Sequence, residues 1–327
     1  MSKTLSMQRC NLDNNWDEFI QGSDHGTPFM QSSYVDGLTE NINSFYCCKG
    51  DEKIAALLLI VDKSGDSVIG HPDIIHDGII HRSTRHLNSA QAHSEQFSAQ
   101  QFIAEYLAQK YHHVKLKLSP NIKDIRAFLW VNYHEREKPR FHVDVRYTSL
   151  LSIEELNKEN IEYKESLLYK NSSVSRRQEI RYGHKKGVIV SKSKNYKNFC
   201  NLYTLTMQRQ NIEFSLKDQE RLYQFITALC DNNLILMFQA ENASGQVGSY
   251  AIFLLHGPHA YYLYGANDPQ MRNEHTGTMV LQESFISLAK SGITNIDLEG
   301  INSPQRGWFK LSFGGNVTPY YQLTLSP

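Results

Sequence analysis

The sequence predicts an α/β protein built on mixed α+β sheets, in two tandem domains of one topology. Three observations predict it. The chain has 327 residues, too many for one ordinary domain and comfortable for two. The stretch 259–325 reads strand, helix, strand, short helix, strand. The same order of elements can be read once before, between residues 45 and 151.

Taken in order, residues 45–65 read as a strand, a tight turn and a second strand. A helix follows over 92–110, then a strand at 113–118 and a polar loop at 119–124. A short aromatic helix at 125–133 and a strand at 141–151 close the first half. In the second half, 234–257 is again strand, turn, strand. A further strand at 259–268 leads into the polar loop 269–278 and a helix ending near 292. The strand 294–300, a short helix within 301–315 and a last strand at 318–325 complete the set. Residue identity between the halves is poor, so the repeat is one of architecture. It divides the chain into domains 1–155 and 156–327.

Composition excludes several classes. Lys+Arg and Asp+Glu number 34 each, so no basic field marks a nucleic-acid binder, and no nucleic-acid partner is expected. No apolar run approaches bilayer length, and the first residues do not read as a signal peptide, so no membrane partner is expected. Five cysteines without a C-x-x-C pair fit a reducing cytoplasm. Histidines 71, 76, 81 and 86 stand five apart. Metal ligands recur three or four apart on a helix and two apart on a strand, so no metal is expected. Oligomeric state is not readable.

Chemistry concentrates in three places. The loop ending at 278 closes onto a helix start, where unpaired N–H groups and the helix dipole suit a phosphate. The segment 163–188 carries Arg176, Arg177, Arg181, His184, Lys185 and Lys186 with few acids. On a helix, residues 177, 181 and 184 share a face, and arginine forks suit phosphate. The run 70–81 sets His-Asp-Gly between two Ile-Ile pairs. Its Asp73, His76 and Asp77 are candidate bases, the alternative being a turn held by Asp and Gly. Asp297 and Glu299 alternate along a strand and face one side, as further candidates for proton transfer beside Glu241.

These features resemble the GNAT N-acyltransferases. That family follows its fourth strand with Q/R-x-x-G-x-G/A at a helix start; here Arg272 and Gly277 carry it at a stretched spacing. Asn302, Phe309, Phe313 and Gly314 match the layout after its fifth strand. Gly307, Phe309, Lys310, Phe313 and Gly314 give the denser G-x-F-K-x-x-F-G form of the FemAB-like branch. The resemblance implies two tandem GNAT-like domains. The second would hold acyl-CoA, a co-substrate, through Tyr264, Arg272, Thr276, Gly277, Thr278, Met279, Asn302 and Phe309. The first, whose helix start lacks glycine, would shape the acceptor site, with Asp73, His76 or Asp77 reaching the acceptor. Arg176, Arg177, Arg181 and Tyr262 would bind that acceptor. A backbone N–H between Tyr262 and Gly265 would face the acyl carbonyl. Many relatives place a tyrosine where Phe309 stands; a phenyl ring donates no proton, so Lys310 assists or the amine proton passes directly to the leaving group. The implied reaction is N-acylation, with 3-hydroxybutanoyl as one acyl group that the resemblance offers, of a dTDP-linked amino deoxysugar for surface polysaccharide. Two alternatives stay open. One is an aminoacyl-tRNA-dependent transferase acting on a peptidoglycan precursor, whose usual coiled-coil arm is not seen near 196–231. The other is a non-catalytic binding protein.

Overall fold

The computed structural model describes residues 4–38, 40–135, 137–158 and 162–326. It divides into unit 1, residues 1–146 with 319–327, and unit 2, residues 147–318.

Unit 1 begins with β1 (Leu5–Arg9), α1 (Asn14–Gly22) and the short α2 (Ser32–Val35). The hairpin β2 (Asn41–Lys49) and β3 (Glu52–Val61) follows. Its turn is Gly50-Asp51, and Gly50 takes φ 62°, a left-handed value that glycine adopts at no steric cost. Every residue from Ile54 to Val61 is buried, as expected for a strand covered on both faces. Then come β4 (Ser67–Val68), β5 (Gly78–His81), α3 (Ser89–Lys110), β6 (His113–Lys117) and α4 (Arg126–Leu129). The sheet runs β1-β2-β3-β4-β6, with β5 also on β3; only β4 and β6 pair in parallel. Ala99, Ile103, Ala104 and Leu107 of α3 recur at helical spacing and seal the core over this sheet. The helix starts at Ser89 rather than at 92. Asn88 accepts from the Gln91 backbone N–H while the Gln91 side chain caps the Asn88 N–H, a reciprocal cap that stabilises the extra turn.

β7 (Phe141–Ser152) begins in unit 1 and ends in unit 2. Unit 2 continues with α5 (Leu167–Asn171), α6 (Val174–Lys185), β8 (Ile189–Lys192), α7 (Tyr196–Arg209) and α8 (Leu216–Asp231). β9 (Ile235–Glu241), β10 (Val247–His256), β11 (His259–Asn267), α9 (Thr276–Lys290), β12 (Asn295–Asp297) and α10 (Pro304–Leu311) complete it. The sheet order is β7-β12-β11-β10-β9-β8, antiparallel except for the parallel pair β11-β12. The buried residues Met279, Val280, Leu281, Phe285, Leu288 and Ala289 show that α9 is apolar around most of its circumference, a central rather than a surface helix. β13 (Asn316–Leu325) starts in unit 2 and ends in unit 1, where residues 322–325 pair with β6 and Leu323 and Leu325 enter the core.

The candidate site at the fork of β11 and β12

β11 and β12 pair only at His259–Asn295, Ala260–Ile296 and Tyr261–Asp297. Beyond Tyr261, β11 runs on to Asn267 while β12 has ended. The two strands therefore form a fork. On its other edge, β11 faces β10 with Tyr264 opposite Ile252 and Tyr262 opposite Phe253, so Leu263 is an inserted residue. Such a bulge leaves a backbone group outside the ladder and re-aims its neighbours.

The reason β12 stops is local. Asp297 accepts the Glu299 backbone N–H at 2.8 Å and the Thr148 hydroxyl. The chain then turns through two consecutive left-handed residues, Glu299 at φ 49° and Gly300 at φ 43°. Asp297 and Glu299 therefore do not alternate along one strand, and neither lies at the surface: they are 6% and 3% exposed.

α10 brings Lys310 to this fork. Pro304 opens the helix at a position where its missing N–H costs nothing. Gly307 lets α10 close onto the Ile301 carbonyl, which an added Cβ would approach to 2.5 Å. One turn later Lys310 Nζ lies 4.9 Å from the centre of the Tyr262 ring and donates to the Glu299 carbonyl at 3.0 Å. Burial pushes the Lys310 ammonium down to about 8, against the pull of Glu299 and Asp297. Tyr261 is pushed up by burial and then by the same two carboxylates.

The start of α9 is the second part of the site. His275 holds φ 61° and no side chain caps the helix. The stretched spacing expected here is corrected by this backbone. Arg272, left-handed His275 and Gly277 fall at the steps of Q/R-x-x-G-x-G, with His275 in the conformation that glycine usually supplies. A Cβ on Gly277 would lie 2.5 Å from Asn267 Oδ1. Thr276 and Thr278 are buried, Thr276 against Ser249 Oγ at 2.8 Å. Met279 packs beneath Gly183, and Arg272 is exposed.

α6 lies across this helix start. Arg176 points inward: it donates to the Thr278 hydroxyl, to Ser312 Oγ at 2.8 Å and to Glu179 at 2.5 Å. It also stacks 4.4 Å from Phe309 and 4.6 Å from Phe313. Its guanidinium is thus engaged within the fold rather than displayed for phosphate. Glu179 accepts from Thr278 Oγ1 at 2.6 Å, and Lys186 donates to the Asn273 carbonyl at 2.8 Å. Arg177 and Arg181 flank Tyr169 instead, Arg181 being exposed. The sequence reading passed over Glu179. The signal was available, because Glu179 is the single acid between residues 166 and 188.

The remaining predicted residues are distributed as follows. Asn302 bonds both ways to the Tyr147 backbone, at 2.7 and 2.9 Å, and so continues the edge of β7. Tyr264 packs on Tyr203 and Phe199 of α7. Asp73, His76 and Asp77 lie in unit 1, whereas Lys310 lies in unit 2. Asp77 is 4% exposed; it accepts the Lys117 N–H at 2.5 Å and returns its own N–H to the Lys117 carbonyl at 2.7 Å. Burial pushes its carboxyl up to about 6, with Lys117 opposing. His76 is buried edge-on between Phe29 and Tyr320. The Asp73 carbonyl accepts the Tyr34 hydroxyl at 2.6 Å. These contacts anchor the loop 70–77. Among the described residues no group of His, Cys, Asp or Glu could hold a metal ion, and no helix is long and apolar enough to cross a membrane.

Comparison with known proteins establishes the fold. FemX is 13% identical, with 97% of this chain and 96% of that one aligned at a TM-score of 0.63. A tandem GNAT protein from the clavulanic acid biosynthesis pathway is 8% identical over 99% and 98% of the chains, TM-score 0.54. L-PGS from Bacillus licheniformis is 9% identical over 92% of each, TM-score 0.50. The chain thus has a FemAB-like tandem GNAT fold with mixed α/β sheets. Neither a family model nor a curated protein sequence matches it.

Proposed function

We propose that the protein is an N-acyltransferase that passes an acyl group from an activated carrier to an amine at the fork of β11 and β12. The observation that carries the reading is Lys310, a partly buried ammonium directed at a place where one strand has ended and the other bulges. Acyl transfer needs two groups held close and a donor for the developing oxyanion. The Lys310 ammonium and the β11 backbone beside Leu263 supply such donors. As the amine attacks the acyl carbonyl, the carbonyl oxygen gains charge beside them. The bond to the carrier then breaks, and the amine proton passes to the departing group directly or through water, since Phe309 has none to give.

For the carrier we favour acyl-CoA. The uncapped start of α9, left-handed His275 and exposed Arg272 support an anion there. Thr276, Gly277, Thr278 and Met279 form that turn, with Tyr264, Asn302 and Phe309 as its surroundings in this reading. The acceptor is an amino sugar on a nucleoside diphosphate, such as a dTDP-linked deoxysugar, whose phosphates Arg177 and Arg181 would meet beside Tyr169. The donor is taken by unit 2, residues 147–318, and Asp73, His76 and Asp77 of unit 1 serve by anchoring the loop 70–77. Sugar nucleotides are cytosolic substrates, so this reading puts the protein in the cytoplasm.

A second reading, transfer from aminoacyl-tRNA to a peptidoglycan precursor, is favoured by one observation. The Glu179 carboxylate on Thr278 puts a negative group at the helix turn that a pyrophosphate would use. Thermal stabilisation separates the two. A ligand at a hundredfold excess over its dissociation constant adds about 2.7 kcal/mol. Shifts with acetyl-CoA and with dTDP or UDP are expected. A shift with aminoacyl-tRNA and none with any CoA compound would overturn the acyl-CoA reading.

A further inference from the structure

We propose that Tyr262 is a positioning residue: the face of its ring carries the Lys310 ammonium and holds it at the fork, an assignment that rests on the reading of Lys310 as the group that meets the acyl carbonyl.

The backbone of β11 points to this residue first. In a regular strand, residues three apart stand on opposite faces. The residue inserted at Leu263 changes that count. Tyr262 lies opposite Phe253 and Gly265 opposite Ala251. Residues 251 and 253 share a face of β10, so Tyr262 and Gly265 share a face of β11. Tyr264 goes to the other face, against Tyr203 and Phe199 of α7. The Tyr262 side chain lies along the strand and reaches Gly265. A Cβ at 265 would stand 1.9 Å from the Tyr262 hydroxyl oxygen and 2.8 Å from the ring carbon that bears it, so a residue without a Cβ is needed there. The bulge and the glycine together give the ring its place, with Phe253 packed on it at 5.5 Å between ring centres.

α10 sets Lys310 against this ring. Its Nζ lies 4.9 Å from the ring centre, within the reach at which the negative face of an aromatic ring attracts a cation. Tyr262 is 8% exposed, and the attraction is stronger where water is excluded. The same Nζ donates to the Glu299 carbonyl at 3.0 Å. An ammonium has three N–H donors, so a carbonyl and a ring face fix two directions and thereby orient the third. A long, flexible side chain is in this way held to one place. The titratable groups around Lys310 and Tyr262 come from several elements: Tyr261 from β11, Asp297 from β12, Glu299 from the turn, Arg306 from α10 and Tyr203 from α7. All of them are common to variants that differ only in the ring at position 262.

The test is titration of Lys310 in the full-length protein, read by amine-reactive labelling of its Nζ against pH with mass spectrometry. Turnover of acetyl-CoA with a dTDP-linked amino sugar is followed beside it. Tyr262→Phe keeps the ring face and serves as the reference. A trifluorinated phenylalanine at position 262 keeps the outline of that ring but drains negative charge from its face. Between these two the Lys310 midpoint is expected to fall by about half a pH unit or more, and the alkaline limb of kcat to move down with it at little-changed KM. Gly265→Ala drives the ring from its place and is expected to lower the midpoint as well, with Tyr262→Phe added to it returning part of the fall. One and the same midpoint for phenylalanine and its fluorinated form would overturn the proposal. A midpoint that falls while turnover keeps its pH profile supports the positioning and removes Lys310 from the chemistry, so that failure falls on the proposed function alone.

Discussion

Lys310 carries two opposite pH dependences. In the proposed reading, which needs its ammonium, activity is expected to fall as pH rises through about 8. Stability runs the other way. The folded value lies below the unfolded one, near 10.4, so the unfolded chain binds more protons in between, and stability rises with pH across that window. Lys310→Met should lower kcat by about 10²–10³, remove the alkaline limb and flatten the stability rise; rate and denaturation profiles from pH 7 to 10 check it. Asp77 gives the acid counterpart. Its carboxyl, up at about 6 in the fold, is near 3.9 when unfolded. The native state therefore binds more protons in that interval, and stability is lost as pH rises through it. Asp77→Asn should remove a slope on the order of 2–3 kcal/mol between pH 4 and 7, read by urea midpoints. The part proposed for Lys310 rests, in the sequence, on its Gly-x-Phe-Lys setting. The turn at Glu299 was not, because Asp-Leu-Glu alternates like a strand and nothing in a glutamate announces a left-handed backbone. Arg176 was half legible. A charge run does not say which arginine turns inward, but Arg176, Ile180 and Gly183 fall at steps of four and three and form the buried face of α6.

The start of α9 shows how tightly one element is fitted to the next. Gly277→Ala sets a Cβ against Asn267 Oδ1, and overpacking of this kind costs about 1–3 kcal/mol. Asn267→Ala opens that space, so the double variant should lose less than the two single changes summed, a coupling that a denaturation cycle measures. If the losses simply add, the packing account fails. The elements were read mostly correctly because their apolar runs are bounded by turn residues, as along β3 and α9. The ends were read less well. β12 is only three residues long because a side chain, that of Asp297, closes the turn. Extended pattern alone does not carry that stop signal.

At the scale of the molecule, residues 319–327 belong to unit 1 although they follow unit 2 in the chain. Hydrophobic alternation made 318–325 legible as a strand, but alternation does not say which sheet a strand joins. Deleting 319–327 takes the partner from β6 and Leu323 and Leu325 from the core of unit 1. Hydrogen exchange should then show protection lost across β6 and α3, while β9, β10 and α9 keep theirs. Equal loss in both sets would mean that the units do not unfold separately. The same strand sets an order on biosynthesis. Domains commonly fold as they leave the ribosome, at about 5–20 residues per second. Here unit 1 waits for residues 319–325, which are made after unit 2, so its apolar sheet edge stays open for the whole translation of unit 2. That interval, rather than the stability of the finished protein, is where aggregation and chaperone demand should concentrate.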